Sequence, residues 1–233
     1  MGAPEHIRDR LALVLDYSTL ADAEAVAVRL APWFGVAKVG LELFSAAGPD
    51  AVAAMADHGF RVFADLKLHD IPNTVGQAAR VLGRHGASMV TLHTSGGVPM
   101  LRAGVKGLLE GAAEAGLPAP IPLGVTVLTS DPEASAKLLG ERVGRAVEAG
   151  CGGVVCAAAD LPAVSAVAPG LLTVVPGIRF AGGDTHDQSR VSTPAAAIAA
   201  GAGLLVIGRA VTGAPDPEAA AERIVSEVGS ALR

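Results

Sequence analysis

The sequence predicts an α/β fold of the (β/α)8 barrel class, the TIM barrel, formed as a single domain. Along 233 residues, eight short apolar runs alternate with eight Ala-rich helical patterns. Such alternation is typical of a parallel sheet with right-handed crossovers, and eight units in this length favour a closed barrel over an open sheet. The composition agrees, because 51% of the residues are hydrophobic and only 3% are aromatic. Barrel interiors are filled mainly by branched aliphatic side chains, so this chain can build one large core.

The predicted strands are short runs rich in Val, Leu, Ile and Ala. In order they cover residues 11–16, 35–40, 60–66, 87–92, 121–127, 152–156, 171–175 and 204–207. The predicted helices fill the intervals, near 20–31, 45–57, 73–84, 98–114, 133–149, 160–168, 193–200 and 216–232. No linker and no low-complexity segment divides these elements, so we expect one domain over residues 1–233.

The longest irregular stretch of the sequence covers residues 180–190, between the seventh strand and the next helix. Loops of this length in compact domains usually have a use, and covering an active site is a common one. We therefore interpret residues 180–190 as a lid, with a plain surface loop as the alternative.

The charge and the hydropathy of the chain exclude several classes of protein. Eighteen Lys and Arg against 23 Asp and Glu give a net charge of -5, so no basic field favours nucleic acid. No segment is long and apolar enough for a membrane span, and the apolar run 11–15 is too short for a signal peptide. Cys151 and Cys156 lack Cys or His companions at metal-site spacing, which predicts two core thiols. We therefore expect a reduced, cytoplasmic protein.

Charged residues at the ends of three predicted strands mark a candidate active site. Asp16 closes the first strand, Lys38 lies near the end of the second, and Lys67 follows the third. In a (β/α)8 barrel the active site lies at the C-terminal ends of the strands. A solvated surface lysine is the usual alternative, but the Val, Gly and Leu residues around these two lysines do not suit a surface.

The segment 65–74, with the sequence DLKLHDIPNT, is the most informative part of the chain. Because side chains alternate along a strand, Asp65 and Lys67 are expected to point together toward the barrel mouth, and Leu66 toward the helices. Asp70 lies beyond the strand, two residues before Pro72, which suits the first turn of a helix. We interpret Asp70 as a catalytic group, with a helix N-cap or near-cap as the alternative.

This segment, with Lys38 upstream, resembles the signature of the orotidine monophosphate decarboxylases, in the shorter bacterial type that carries HDIPNT. Further matches extend along nearly the whole chain: LD at 15–16, HTSGG at 93–97, VLTS at 127–130, PGIR at 176–179, DQSR at 187–190 and IGR at 207–209. The D-x-K-x-x-D pattern alone is shared with barrel enzymes that act on sugar phosphates. The ordered set therefore carries the resemblance.

The resemblance implies a (β/α)8 barrel that converts orotidine 5'-monophosphate to uridine 5'-monophosphate and CO2, the last step of de novo UMP biosynthesis. It implies no metal and no other cofactor. It assigns catalysis to an alternating charged array formed by Lys38, Asp65, Lys67 and Asp70. It further implies that Asp70 and Thr74 reach into the neighbouring subunit's site, so that the active form is at least a homodimer.

The resemblance also implies how the substrate is held. Asp16 and Lys38 would hold the ribose hydroxyls, and Thr129, with Ser130, would contact the pyrimidine. The phosphate would be bound by Arg179, Gln188, Gly208 and Arg209. An independent rule agrees with this last set, because barrel phosphate sites are commonly built by the loops after strands seven and eight.

Loss of CO2 from C6 of the pyrimidine leaves negative charge on a carbon that the ring delocalises poorly. An ammonium held near C6 stabilises that charge and can then deliver the proton, so we assign both tasks to Lys67. The flanking Asp65 and Asp70 favour the charged form of Lys67, and we expect it to be protonated in the resting site. We interpret His69 and His93 as packed histidines, not as acid-base groups or metal ligands.

Three other functions remain as alternatives. The first is a metal-dependent sugar-phosphate decarboxylase or aldolase on the same barrel. The second is a phosphate-binding isomerase, for which the lysines have no evident task. The third is a phosphate-binding protein without catalysis, which leaves the charge pairs at the barrel mouth unexplained.

Overall fold

The computed structural model describes residues 2–127, 135–182 and 190–233. Within these ranges eight parallel strands hydrogen-bond in chain order and close into a barrel, because the last strand pairs with the first. The strands are β1 (Leu11–Leu15), β2 (Val36–Val39), β3 (Arg61–Leu68), β4 (Ala87–His93), β5 (Ile121–Val125), β6 (Gly153–Val155), β7 (Leu172–Val175) and β8 (Leu204–Ile207). The predicted (β/α)8 barrel is confirmed.

Helices follow the strands and cover the outside of the barrel, and one short helix precedes β1. They are α1 (Glu5–Arg8), α2 (Leu20–Leu30), α3 (Leu41–Ala47), α4 (Asp50–Asp57), α5 (Pro72–Arg84), α6 (Gly97–Glu114), α7 (Ala136–Ala149), α8 (Leu161–Val167), α9 (Pro194–Ala199), α10 (Arg209–Thr212) and α11 (Pro217–Ala231). None of the described helices is both long enough and apolar enough to cross a membrane.

The structure differs from the predicted elements in a few places. The helix expected at 45–57 is two helices, α3 and α4, because Gly48 adopts a φ of 62° and Pro49 follows it. The four-residue helices α1 and α10 were not predicted, since so few residues show no periodicity. Strand β3 extends to Leu68 instead of ending at 66, which brings Lys67 into the strand.

The core consists of two layers, one inside the barrel and one between the strands and the helices. The inner layer takes side chains from nearly every strand: Ala12, Val36, Phe63, Met89, Leu123, Val174, Leu204 and Val206, with Val155 packed against them. Neighbouring strand positions such as Leu11, Leu13 and Leu15 belong to the outer layer. This alternation closes the barrel interior with apolar side chains, so that solvent and ligand are confined to the mouth.

Helices α5 and α6 pack at unusually short range through glycine residues. A Cβ atom placed on Gly107 of α6 would lie 2.0 Å from the carbonyl oxygen of Gly76, and one on Gly111 would lie 2.0 Å from that of Arg80. These contacts are backbone to backbone, so no rotamer change could relieve them. The approach fixes the position of α5, whose first turn carries Thr74.

We expect Gly107→Ala to lower the free energy of unfolding by about 2–3 kcal/mol, because the added methyl forces two buried helices apart. Gly144 on α7 provides the matched control, since a Cβ there would have no heavy atom within 4 Å. Gly144→Ala should raise stability by up to about 1 kcal/mol through helix propensity alone. Urea unfolding measures both, and a Gly107→Ala protein as stable as the control variant would contradict the steric argument.

Candidate active site

A cavity of about 560 Å³ opens at the C-terminal ends of the strands. Its lining side chains come from the ends of most of the strands and from the loops that follow them: Val14, Asp16, Lys38, Phe63, Asp65, Lys67, Val125, Val127, Val155, Cys156, Pro176, Gly177, Arg179, Val206, Gly208, Arg209 and Thr212. Seven of the residues predicted as site residues therefore line one cavity, Asp16, Lys38, Asp65, Lys67, Arg179, Gly208 and Arg209. Apolar side chains form its floor, and charged groups occupy its walls.

Four charged side chains form a continuous alternating chain on one wall of this cavity. Lys38 Nζ donates to Asp16 Oδ1 at 3.2 Å and lies 3.8 Å from Asp65 Oδ2. The other oxygen of the same carboxylate, Asp65 Oδ1, accepts from Lys67 Nζ at 2.9 Å. Asp65 therefore bridges two ammonium groups, and each lysine has a carboxylate partner.

Exposure increases from the centre of this array to its ends. The side chains of Lys38 and Asp65 are only 10% and 16% exposed, whereas Lys67 is 35% and Asp16 is 53% exposed. A buried charge is tolerated when it is paired and hydrogen-bonded, which is the case for Lys38 and Asp65. Lys67 is thus held by a largely covered carboxylate, while its own ammonium remains accessible from the cavity.

Asp65 and Lys67 lie side by side as expected, but regular strand alternation is not the reason. In the pairing of β3 with β4, Ala64 is opposite Val90 and Leu68 is opposite Leu92, so three residues of β3 bulge opposite Thr91. Within the described chain Lys67 is the one non-glycine residue with positive φ, at 50°. This conformation costs on the order of 1–3 kcal/mol and requires support from its surroundings.

Two residues near this array were missed by the sequence analysis. Thr91 Oγ1 accepts from the backbone N–H of Lys67 at 2.8 Å and lies 3.2 Å from Asp65 Oδ1. Gly40 leaves the space that the first ion pair needs, because a Cβ there would lie 2.7 Å from Lys38 Nζ and 2.8 Å from Asp16 Oδ1. Neither residue carries a signal in the sequence, since threonine is common in strands and glycine is common after them.

Asp70 and Thr74 lie on the surface, outside the cavity wall of their own chain. The carboxylate of Asp70 accepts from the backbone N–H of Ile71 at 2.7 Å, and the structure shows no ion pair between Asp70 and Lys67. Helix α5 begins after Ile71 without a side-chain cap, so the N-cap alternative for Asp70 is wrong. Of the near-cap interpretation, one contact is observed: the Asp70 carboxylate accepts from the N–H of Ile71, the residue just before the helix.

The residues predicted to bind phosphate follow β7 and β8 in the sequence, whereas the charged array comes from β1, β2 and β3. Arg179 is 8% exposed and donates from Nη1 to the carbonyl of Ile178 at 2.8 Å. Gly208 and Arg209 line the same cavity. A Cβ on Gly208 would meet Val14 at 3.5 Å, which is ordinary contact, so packing inside the protein does not require glycine there.

Three predicted site residues, Thr129, Ser130 and Gln188, lie outside the described residues, as does most of the predicted lid. The described ends of the lid segment are both anchored. The guanidinium of Arg223 lies over the ring of Phe180, 4.0 Å from its centre, and Arg190 forms an ion pair with Asp160. The lid therefore stays a prediction. The described residues at its two ends, Phe180 and Arg190, are held by Arg223 and Asp160.

Of the two histidines near the site, His93 is half-buried and agrees with the interpretation as a packed side chain, whereas His69 is exposed. The rings of His69 and His93 stack with their centres 5.2 Å apart, and His93 Nδ1 accepts from the backbone N–H of Ser95. Burial lowers the pKa of His93, and the nearby His69, Arg142 and Lys67 lower it further. This shift favours the neutral form of the ring. In the described ranges no three His, Cys, Asp or Glu side chains cluster as a metal site would require.

Cys156 also lines the cavity, but its thiol is not a nucleophile at neutral pH. Burial raises the pKa of this thiol to about 12, and the nearby carboxylate of Asp160 adds to the effect. Burial likewise raises the pKa of Cys151 to about 12. Both cysteines are free and buried, in agreement with their predicted place in the core.

The chain is similar to known proteins along nearly its whole length. The family model "Orotidine 5'-phosphate decarboxylase / HUMPS family" matches residues 9–224. The orotidine 5'-phosphate decarboxylase of Moorella thermoacetica is 48% identical over 235 residues, covering 96% of this chain and 93% of that protein. That of Anaeromyxobacter sp. is 48% identical over 229 residues, covering 94% and 97%. The crystal structure of the Lactobacillus acidophilus orotidine 5'-phosphate decarboxylase is similar with a TM-score of 0.81 and 31% identity, covering 94% and 99%.

Proposed function

The chain belongs to the orotidine 5'-phosphate decarboxylase / HUMPS family, and from this membership we propose how its barrel mouth carries out the reaction. The protein is a carboxy-lyase that decarboxylates orotidine 5'-monophosphate to uridine 5'-monophosphate in pyrimidine biosynthesis. The roles of the individual residues are our proposal. The observation that supports this proposal most directly is the ammonium of Lys67, which pairs with the part-buried carboxylate of Asp65 and lines the cavity.

In the proposed mechanism the pyrimidine ring lies with C6 against Lys67. As the bond to the carboxylate breaks, the electron pair remains on C6, and the ammonium of Lys67 stabilises the developing negative charge. The ammonium then transfers a proton to C6, which yields uridine 5'-monophosphate and leaves a neutral amine. Asp65, at 2.9 Å, keeps the ammonium oriented before the reaction.

One cation does not account for the whole acceleration. A unit charge at 4 Å contributes about 4 kcal/mol at an effective dielectric near 20, whereas large enzymatic accelerations correspond to about 20 kcal/mol. We propose that much of the remainder comes from groups that bind distant parts of the substrate. Such binding holds the ring against the charged array and excludes water from it.

The cavity has the polarity that this binding requires. We propose that Arg179, Gly208 and Arg209, together with Gln188, bind the phosphate at the ends of β7 and β8. Asp16 and Lys38 would bind the ribose hydroxyls, and Thr129 with Ser130 the pyrimidine. Carboxylates accept from hydroxyl groups while arginines donate to phosphate in pairs of hydrogen bonds, so each assignment matches the chemistry of its partner.

We also propose that the active form is a homodimer in which Asp70 and Thr74 complete the partner's site. Asp70 is exposed and forms no ion pair with Lys67 in its own chain, although the resemblance places it in the catalytic array. The apolar side chain of Ile71, next to it, is 66% exposed. A second copy over this face would cover Ile71 and bring Asp70 to the other subunit's Lys67.

A cytoplasmic location is part of the same proposal. It is supported by the two free, buried thiols and by the position of the reaction in pyrimidine biosynthesis. Unpaired cysteines are typical of proteins that work in a reducing compartment.

The proposed function is tested by following the ultraviolet absorbance of orotidine 5'-monophosphate after addition of the purified protein in the presence of EDTA. We expect stoichiometric conversion to uridine 5'-monophosphate, identified by chromatography, at a rate that the chelator does not change. Absence of product would refute the assignment. Turnover of a sugar phosphate that EDTA abolishes would instead favour the metal-dependent alternative.

A further inference from the structure

We propose that Thr91 is a positioning residue that holds the bulge of β3 in the shape that pairs Asp65 with Lys67. The proposal rests on the function proposed above, because it concerns the same catalytic array. Thr91 does not line the cavity and is completely buried, so its side chain acts on the substrate only through these two residues.

The first step of the argument is the backbone of the bulge. Between Ala64 and Leu68 the regular pairing with β4 is interrupted, and the residues in between have lost their ladder partners. The N–H of Lys67 donates to Thr91 Oγ1 at 2.8 Å instead. The hydroxyl thus replaces a backbone carbonyl as acceptor, at the residue whose φ of 50° needs the most support.

The second step concerns the proton of the same hydroxyl. Thr91 Oγ1 lies 3.2 Å from Asp65 Oδ1 and 3.5 Å from the carbonyl oxygen of Ala64. The carboxylate is nearer and charged, so it is the better acceptor. Asp65 Oδ1 is also the oxygen that accepts from Lys67 Nζ. One hydroxyl therefore connects the backbone of the proposed proton donor with the carboxylate that orients it.

The third step is the consequence for the reaction. Without the hydroxyl, the buried N–H of Lys67 has no acceptor and the bulge loses the contact that maintains its positive φ. A shift of about 1 Å in a reacting group costs on the order of 100-fold in rate. Groups that bind the phosphate lie on other strands, so affinity for the product should change little.

Three variants of Thr91 separate the hydroxyl from the rest of the side chain, and a fourth variant at another residue serves as the control. Thr91→Val keeps the shape and removes the hydroxyl, Thr91→Ser keeps the hydroxyl and removes the methyl, and Thr91→Ala removes both. Thr173→Val is the matched control. Its hydroxyl also bridges a strand to a loop, donating to Gly201 and accepting from the N–H of Gly203, both at 2.9 Å, but at the opposite end of the barrel.

We expect kcat to fall about 100-fold in Thr91→Val and Thr91→Ala, whereas Thr91→Ser stays within about threefold of the unmodified protein. The Kd for uridine 5'-monophosphate, measured by calorimetry, should stay within about threefold in all four variants, because phosphate binding is unaffected. Thr173→Val should keep its kcat, because its hydroxyl lies at the end of the barrel away from the charged array.

The proposal is overturned if Thr91→Val retains kcat within threefold of Thr173→Val, or if product binding weakens in parallel with kcat. If Thr91→Val does not fold, the comparison of Thr91→Ser with Thr91→Ala decides, and equal kcat values for these two would overturn the proposal. An unmodified protein without activity would instead refute the proposed function, so the two failures are distinguishable.

Discussion

Replacement of Lys67 by alanine is expected to lower kcat by about 10⁵- to 10⁷-fold. Loss of a unit charge about 4 Å from C6 removes about 4 kcal/mol of stabilisation, which corresponds to roughly 10³-fold in rate. Loss of a positioned proton donor costs about a further 10²–10⁴-fold. Single-turnover decarboxylation at saturating substrate measures the effect without interference from product release.

Binding of uridine 5'-monophosphate separates loss of chemistry from loss of the site. This product carries only hydrogen at C6, so its Kd should change far less in Lys67→Ala than kcat does. Lys106→Ala is the matched control, because Lys106 is 76% exposed on α6 and pairs with Glu110 at 3.8 Å on the same helix. If Lys67→Ala retained more than about a tenth of the control's kcat, Lys67 could not be the proton donor.

The barrel could be predicted because its strands are buried on both faces and therefore form continuous apolar runs. The strand expected at 204–207 agrees at both ends with β8, and the one expected at 121–127 begins with β5 at Ile121. The break between α3 and α4 had a signal in Gly48 and Pro49, but the apolar pattern continues across it and hid the signal.

The charged half of the site was predictable for a different reason. Lys38 and Asp65 are charged residues within apolar strands, where a charge is costly unless it is paired, so they stand out in the sequence. Thr91 and Gly40, which support the charged array, could not be predicted in this way. The support that Thr91 gives to Lys67 depends on a bulge between β3 and β4, and the space left by Gly40 depends on how two side chains meet. Such contacts arise from the packed fold and leave no pattern in neighbouring residues.

Asp70 raises the question of whether a second chain completes the site, and mixing two inactive variants answers it. In a dimer formed by one Lys67→Ala chain and one Asp70→Ala chain, one site receives Lys67 from the second chain and Asp70 from the first. That site is intact, while the other lacks both groups. With free subunit exchange half of the dimers are hybrids, so activity should recover to about a quarter of the unmodified value.

The matched control mixes Lys67→Ala with Asp65→Ala. Asp65 and Lys67 are paired within one chain at 2.9 Å, so every site in this mixture lacks one of them and no activity should return. The two mixtures differ only in which aspartate is removed, and both are refolded together so that subunits exchange. Recovery in the first mixture alone requires Asp70 to act across an interface. Absence of recovery in both would instead place Asp70 in its own subunit's site, where it would have to leave the N–H of Ile71 to reach Lys67.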